Sequence, residues 1–257
     1  RMQHISFSEL KNWAKCAYYH KLVNIDKLKG FVGSEHTAFG TAIHEVCEQR
    51  VLGRLPIGKE SDLFTKTFEK EIEGLIGDGV ELKQKLVTEM EQQGVELAGM
   101  PVPALSEYFG DYEVFSAEEK LYEPMEGVEY LFKGFIDLVV KTNDGKYHII
   151  DWKTTSWGWD ARRRSDPMVT YQLTLYKHHF ARKHNIDPKM IETHFALIKR
   201  TVKKDHVEIF RVTSGPRKTQ NALKLLNKAV YNIQKKKHIK NRLSCRGCEF
   251  HKTEHCR

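Results

Sequence analysis

Two apolar strands joined by a short turn each carry an aspartate among their hydrophobic residues. The residues GFIDLVV contain Asp137, the turn covers residues 143–145, and the residues IIDWKTT contain Asp151. A turn of Asn, Asp and Gly between two β-branched runs predicts a β-hairpin. Ionised carboxylates are seldom buried without a partner. The sequence therefore predicts a hairpin whose two acidic side chains need positive charge beside them.

The length of the turn decides whether the two aspartates meet. A three-residue loop, with Gly145 in the left-handed conformation, places Asp137 opposite Asp151 on one face. A two-residue Asp-Gly turn would instead place Asp137 opposite Trp152 and separate the carboxylates. Residues two apart in a strand share a face, so Lys153 points the same way as Asp151. We predict the three-residue loop, because it gives both anions a common cation.

Two facing carboxylates beside a lysine have two explanations. A hard divalent cation, Mg²⁺ or Mn²⁺, prefers oxygen ligands, keeps several waters and can bridge to a phosphate. Lys153 would then orient a water molecule or stabilise developing negative charge. In the alternative explanation, Lys153 forms a buried salt bridge with Asp137 and Asp151 and the hairpin has no chemical role.

The remaining chain alternates between helical and strand patterns. Ser6 and Glu9 form a capping-box pattern, and Asp166-Pro167 is typical of an N-cap followed by proline. We expect one α/β domain over residues 1–257, with a mainly helical part at 6–118, a sheet core at 119–212, and a closing helix with a cysteine tail at 213–257. The predicted helices cover about 6–22, 37–52, 60–76, 80–98, 166–184 and 216–237, with a break at 100–103, and the predicted strands about 120–125, 129–142, 147–155, 193–201 and 206–212.

Several segments together resemble a known family. GFID followed by DWKTT resembles the PD-(D/E)XK nuclease superfamily, in particular its RecB-like branch. The helix containing Gly40 and His44 resembles the histidine motif of that branch, and Gln172 with Tyr176 resembles its QxxxY helix. The resemblance implies a restriction-endonuclease-like core, which is a central mixed sheet flanked by helices.

The resemblance also implies roles for individual residues. The metal ligands it implies are His44, Asp137, Asp151 and the backbone carbonyl of Trp152. The catalytic residues it implies are Lys153, Asp137, Asp151, Gln172 and Tyr176. Three acidic residues that lie near His44 in sequence are lesser candidates: Glu35, Glu45 and Glu48.

Three of the five cysteines lie in the last thirteen residues. An odd number of cysteines fits a disulfide framework poorly. In RecB-like nucleases of the AddB, exonuclease V and CRISPR-associated exonuclease types, one early cysteine and three C-terminal ones hold a 4Fe–4S cluster. By that resemblance the ligands are Cys16, Cys245, Cys248 and Cys256, although the spacing before the last cysteine is longer than expected. Alternatively the tail binds Zn²⁺ through local Cys and His residues such as His251, or its thiols are free, and Cys47 is a buried helix residue.

The loop after the second hairpin strand is aromatic and basic. Arginines bind phosphates and exposed tryptophans stack on unpaired bases, so the sequence predicts a DNA-binding segment here. The alternative is that the tryptophans cover the core. The net charge of +8 and the pI of about 9.1 also favour a polyanionic partner. The predicted DNA contacts are Trp157, Trp159, Arg162, Arg163 and Arg164.

Together these features predict a Mg²⁺- or Mn²⁺-dependent DNA nuclease. The expected activity is that of an exonuclease on single-stranded or resected DNA ends, with a structural 4Fe–4S cluster. One alternative is an end-processing nuclease of CRISPR adaptation or phage recombination, working with a recombination or integrase protein. Another is a non-catalytic DNA-binding module with a zinc-stabilised tail. No apolar run is long enough for a membrane, so the expected location is the bacterial cytoplasm, or the host cytoplasm for a phage protein.

Overall fold

The computed structural model describes residues 2–257. The strands are β1 (Gln3–Ser6), β2 (Tyr112–Pro124), β3 (Tyr130–Thr142), β4 (Tyr147–Thr155), β5 (Ile191–Lys199) and β6 (Val207–Val212). The helices are α1 (Phe7–Lys15), α2 (Ala17–His20), α3 (Glu35–Val51), α4 (Glu60–Gly77), α5 (Gln84–Leu97), α6 (Pro101–Phe109), α7 (Ala161–Ser165), α8 (Pro167–His184) and α9 (Pro216–Gln234). A π-helical turn at Lys21–Ile25 and 3₁₀ turns at Pro188–Met190 and Arg242–Ser244 complete the described elements.

Strand β3 organises the six-stranded sheet, because it pairs with three other strands. One edge of β3 bonds antiparallel to β2 along most of its length. The opposite edge bonds parallel to β1 at residues 130–133 and antiparallel to β4 at residues 138–141. Between these two pairings, residues 134–137 have no strand partner on this edge within the described chain. Beyond β4 the sheet continues to β5, which is parallel to β4, and to the antiparallel β6.

Helices cover both faces of the sheet. Helices α1, α8 and α9 pack on one face around buried residues such as Leu10, Leu173 and Leu226. Helices α3 to α6 pack on the other face, where Phe39 and Phe64 belong to the same hydrophobic cluster as residues of β4. The predicted fold class, a mixed sheet flanked by helices, is therefore confirmed. Within residues 2–257, no helix is both long and apolar enough to cross a lipid bilayer.

The predicted register of the central hairpin is confirmed. The paired residues run from Lys141 opposite Tyr147 to Leu138 opposite Ile150, and the same register places Asp137 opposite Asp151. Gly145 has a φ angle of +84°, which is the left-handed conformation that the three-residue loop requires. The requirement that both carboxylates share a cation therefore selected the correct pairing of the two acidic strands.

The predicted first helix is wrong at its centre. Cys16 is extended, with φ −165° and ψ 118°, and separates α1 from α2. Two contacts with the C-terminal tail accompany the break: Asn241 donates its backbone N–H to Cys16 Sγ at 3.2 Å and its side-chain amide to Lys15 O at 2.9 Å. Helical periodicity cannot reveal the break, because the residues on both sides of Cys16 remain helical.

Two further boundaries differ from the predictions. The predicted break at 100–103 is where α6 begins, since Pro101 occupies the first turn of a helix, where its missing N–H costs nothing. Strand β2 begins at Tyr112, well before the predicted start at residue 120. The local sequence pattern of both segments is weak, so packing against the rest of the fold decides their structure. Leu105 of α6, for example, is fully buried.

We predict that Gly94→Ala destabilises the protein. A Cβ on Gly94 of α5 would lie 1.9 Å from Cζ of Phe64, a fully buried ring on α4. Overpacking of this kind costs roughly 1–3 kcal/mol or more in the free energy of unfolding. Gly74→Ala on α4 is the matched control, because its Cβ would meet no atom within 4 Å. Chemical denaturation should show the control stabilised by about 0.5–1 kcal/mol, and equal effects of the two variants would contradict the packing described here.

Candidate active site

The predicted site residues meet where β4 separates from β3. Asp137 lies in the part of β3 that has no partner on this edge. Its Oδ2 accepts a hydrogen bond of 2.9 Å from the backbone N–H of Trp152. The side chain thus satisfies a backbone donor that strand pairing would otherwise satisfy. This bond holds the diverging strand beside β3 and leaves the second carboxylate oxygen of Asp137 for other partners.

Asp151 and Lys153 form the centre of the site. Asp151 is 3% exposed, and Lys153 Nζ lies 2.9 Å from its Oδ2. Asp151 Oδ2 is buried, and the Lys153 ammonium is the positive charge beside it. Lys153 Nζ also donates to Gln172 Oε1 at 3.0 Å, and Gln172 Nε2 donates to the Tyr176 hydroxyl at 3.3 Å. The two α8 residues share a face because they are four apart.

His44 reaches the site from α3 on the other side of the hairpin. Its Nε2 lies 3.3 Å from Asp137 Oδ2, and its Nδ1 lies 2.7 Å from the Gly40 carbonyl. A carbonyl can only accept, so Nδ1 carries a proton and Nε2 is the atom that faces the carboxylates. A fixed outer hydrogen bond of this kind orients the histidine ligands of metal sites. A Cβ at Gly40 would lie 3.2 Å from Thr154 Oγ1, so the glycine lets α3 approach β4 closely.

The protonation states of these groups depend on one another. Burial alone would lower the pKa of His44, but the hydrogen bond to Asp137 and the charge of that carboxylate raise the pKa to about 9. Burial raises the pKa of Asp151, and the Lys153 ammonium partly opposes this. Burial would lower the pKa of Lys153, whereas Asp151 raises it above its ordinary value. In the metal-free protein, protonated His44 and Lys153 therefore supply the positive charge that the two aspartates need.

Sequence reasoning missed Glu118. In the register of β2 with β3, Glu118 falls opposite Asp137, between the pairs Ala117–Leu138 and Glu119–Ile136. Burial, followed by the charges of Asp137 and Glu48, raises the pKa of Glu118 to about 7. Its φ angle of +48° is unusual for a glutamate. The paired acidic residues in FSAEEKL were the available signal, but only β2–β3 pairing shows which of them adjoins the site.

The lesser acidic candidates have different surroundings. Glu48 of α3 is close enough for Asp137 to raise its pKa, although burial is the larger cause. Glu45 accepts a hydrogen bond from Gln49 in the next turn of the same helix. Glu35 is buried at the start of α3, where Oε1 accepts the Lys83 N–H at 2.7 Å. Of the three, only Glu48 contributes to the electrostatics of the site.

The donor set fits a hard divalent cation. Asp137 and Asp151 offer carboxylate oxygens, and His44 offers Nε2 on the same side. Asp151 Oδ2 is the decisive atom, because it is a buried carboxylate oxygen whose charge is accompanied by the Lys153 ammonium at 2.9 Å. Such an oxygen has lone pairs available to a metal ion. In the absence of a metal ion, the same residues form the salt bridge that was the alternative to a metal site in the sequence analysis. The two interpretations are therefore compatible, since they describe the same site without and with a bound ion.

The predicted DNA-contacting loop is only partly available to a ligand. Trp157 is 64% exposed, whereas Trp159 is 9% exposed and packs edge-on against Phe195 at 5.1 Å. The predicted role of Trp159 as an exposed stacking residue is therefore wrong, because the sheet core needs its ring. Arg164 donates to Glu208 at 2.6 Å and to the Trp159 carbonyl at 3.0 Å, so it ties the loop to β6.

Two arginines of the loop remain open to solvent. Arg162 and Arg163 lie exposed on α7, and the Arg163 guanidinium stacks over the Trp159 ring at 4.7 Å from its centre. Asp160 caps this helix by accepting the Arg163 N–H at 2.9 Å. The cap and the stacking hold Arg163 on the outer surface of the same loop that carries the exposed Trp157. These residues are the part of the loop that a polyanion can reach.

The cysteine tail lies against the break between α1 and α2. Cys16, Cys245, Cys248 and Cys256 all line one pocket. The Tyr18 hydroxyl donates to the His255 carbonyl at 2.8 Å, which adds a second connection between the first helices and the tail. Within the described chain, no three potential ligand atoms of the tail lie within 4.8 Å of one another. Cys47 is 1% exposed in the helical core, as expected of a buried helix residue.

Comparison with known proteins identifies the family. The family model of the PD-(D/E)XK nuclease superfamily matches residues 4–253, so the chain belongs to this superfamily. The crystal structure of a "Putative exonuclease" from Eubacterium rectale is 14% identical, with a TM-score of 0.57, and the alignment covers 91% of this chain and 79% of that one. The crystal structure of SSO0001 is 14% identical with a TM-score of 0.39, covering 83% and 94%. No curated protein sequence matches the chain.

We predict that Mn²⁺ binding releases a proton from His44. The pKa of His44 is about 9 in the metal-free protein, so the imidazole is protonated at pH 7.5, and a metal ligand must be neutral. The apparent affinity should therefore rise with pH up to about 9. Calorimetry in buffers of different ionisation enthalpy should give about one proton released per metal at pH 7.5. His44→Gln should no longer release this proton on metal binding, whereas the control His36→Gln, which changes an exposed residue of α3, should release it as the parent does. Equal proton release from all three proteins would rule out His44 as a ligand.

Proposed function

We propose that this protein is a divalent-metal-dependent deoxyribonuclease of the RecB-like branch that degrades single-stranded or resected DNA from its ends. The observation that carries the proposal is the arrangement of Lys153 between Asp151 Oδ2 at 2.9 Å and Gln172 Oε1 at 3.0 Å, beside Asp137 and His44. A DNA-binding module has no need of this set of residues. The similarity to an E. rectale protein described as an exonuclease is consistent with action on DNA ends.

Each residue of the site has a role in phosphodiester hydrolysis. Asp137, Asp151, His44 and the Trp152 carbonyl would hold Mg²⁺ or Mn²⁺, and such an ion would supply activation of a water molecule and charge neutralisation at the phosphate. Lys153 places its ammonium where negative charge develops on the phosphate, and Gln172, itself held by Tyr176, keeps that ammonium in position.

A groove beside the site supports a nucleic-acid substrate. The groove has a volume of about 1130 Å³ and begins at Gln172 and Tyr176 in the active site. It runs along β1 and the open edge of β3, and three of its lining residues are Lys21, Lys133 and Lys236. Lysines placed in this way neutralise successive phosphates of a strand. The strand would enter past the unpaired part of β3 and present its phosphodiester to Lys153.

The tail supports the finer assignment to the iron–sulfur nucleases. A 4Fe–4S cluster held by Cys16, Cys245, Cys248 and Cys256 would join the break between α1 and α2 to the C-terminus. One observation supports this: the four residues line one pocket. None of the four cluster ligands is among the proposed active-site residues, so the cluster is proposed as structural. Recombination and integration reactions need processed DNA ends, so a recombination or integrase protein is the partner class that this activity would serve.

We predict that Lys153→Ala lowers cleavage of linear single-stranded DNA by about 10²–10³-fold, because it removes one preorganised stabilising charge. DNA binding should change little, since the groove keeps its other lysines. The surface variant Lys189→Ala is the control and should cleave normally. Cleavage of linear but not circular single strands would support the exonuclease assignment. Full activity of Lys153→Ala would contradict the mechanism, and cleavage of circles would show endonuclease action.

We predict that the anaerobically purified protein is brown and contains about four iron atoms per chain. Cys16→Ala should lose the colour and the iron, whereas Cys47→Ala should keep both, because Cys47 lies in the helical core away from the tail. The visible spectrum and metal analysis of the same samples give the answer. A colourless protein whose zinc is lost in Cys245→Ser would replace the cluster with a zinc-stabilised tail and leave the nuclease proposal unchanged.

A further inference from the structure

A second cluster of metal-ligating side chains lies on the sheet, outside the active site. His148 precedes Asp151 by three residues on β4, so the two side chains point to opposite faces. His148 pairs with Glu192 on the parallel strand β5, and His194 lies two residues further along β5. All three side chains therefore share one face of the sheet, toward the helices α3 to α6.

The three potential ligand atoms converge. They all lie within 4.8 Å of one another, with His148 Nδ1 at 3.0 Å from His194 Nε2 and at 3.7 Å from Glu192 Oε2. Tetrahedral zinc has bonds of about 2.0–2.1 Å, which separate its ligand atoms by about 3.3 Å. The observed separations lie on either side of this value.

The hydrogen bonds around the cluster point two acceptor atoms at its centre. Thr142 donates its hydroxyl hydrogen to the Asp144 carboxylate, so Thr142 Oγ1 accepts from His148 Nε2–H at 3.0 Å. The proton of neutral His148 is therefore on Nε2, and Nδ1 presents a lone pair to the cluster. Glu192 Oε2 also faces the cluster, at 3.7 Å from His148 Nδ1. In the metal-free protein His194 Nε2 can donate to His148 Nδ1, and a cation in the same place would be bound by His148 Nδ1 and Glu192 Oε2 together.

The outer atoms of the cluster are already held in place. His148 is 6% exposed and His194 is 1% exposed, and the outer nitrogen of His194 lies 3.3 Å from the Tyr108 hydroxyl of α6. Glu192 uses its other oxygen, Oε1, to bind Lys146 at 3.0 Å. Metal ligands are oriented by such outer hydrogen bonds. Lys146 and the nearby Arg211 keep much of their side chains in solvent, which weakens their repulsion of a bound cation.

We propose that His148, Glu192 and His194 form a zinc site, with water completing the coordination. Two imidazoles and one carboxylate favour Zn²⁺ over the oxygen-seeking Mg²⁺ of the active site. The ring of Phe109, next to Tyr108 at the end of α6, packs on both histidines at 4.7 and 5.1 Å. The bound ion would therefore fasten the end of α6 to β4 and β5, so its role is structural.

Zinc titration of the chelator-treated full-length protein tests the site. A chromophoric competitor gives stoichiometry and affinity, and all proteins carry Cys245→Ser and Cys248→Ser so that the tail does not compete. The parent should bind one zinc ion that His194→Gln and Glu192→Gln leave unbound at the same zinc concentration. Each variant lacks a direct ligand, so the zinc affinity of this site should fall by at least about 100-fold. Thr142→Val should weaken binding by about 10–100-fold, and Thr142→Ser should restore it. The exposed-histidine control, His36→Gln, should match the parent.

Two further readouts keep the result unambiguous. Zinc should raise the melting temperature of the parent more than that of Glu192→Gln, which is isosteric and keeps the packing. Co²⁺ should give the visible absorption of a tetrahedral site in the parent alone. Equal zinc binding by the parent and both ligand variants, or no zinc binding by the parent, would overturn the proposal and leave the two imidazoles as a hydrogen-bonded pair.

Discussion

The hydrogen bond from the Trp152 N–H to Asp137 is the interaction on which the rest of the site depends. Strands β3 and β4 stop pairing after Leu138 and Ile150, and a backbone donor left unsatisfied there would cost about 1–3 kcal/mol. The Asp137 carboxylate satisfies that donor while the strands diverge. Because β1 pairs with β3 only at residues 130–133, the divergence leaves an opening in the sheet. The active site and the start of the groove occupy this opening.

Burying two carboxylates at this opening constrains every residue around them. Asp151 has Lys153 beside it, and Asp137 has His44 beside it. Removing one member of a buried ion pair costs about 3–5 kcal/mol, because the remaining charge has no partner. The metal-free protein therefore depends on cations supplied by its own side chains. A divalent cation would displace the His44 proton and take over part of that charge balance, which connects metal binding to proton release.

The elements far from the hairpin act by holding its surroundings. Helix α8 carries Gln172 and Tyr176 to Lys153, and Tyr176 also packs against Phe132 of β3. The C-terminal tail docks on the break at Cys16, next to the helix that packs on α8. On the opposite face, α6 meets β4 and β5 at the histidine cluster. The sheet is thus held at both ends of β4, and the active site lies at the end where the strands diverge.

The sequence by itself determined the hairpin, its register, the order of most elements and the family, because these depend on patterns within short segments. Turn residues predict the hairpin, the need of both carboxylates for a common cation selects the loop length, and the GFID and DWKTT motifs carry the paired carboxylates. Only the tertiary structure decided the break at Cys16, the burial of Trp159, the placement of Glu118 and the meeting of His148 with His194. Each of these depends on contacts between segments far apart in the chain, and such contacts leave no periodic signal in either segment.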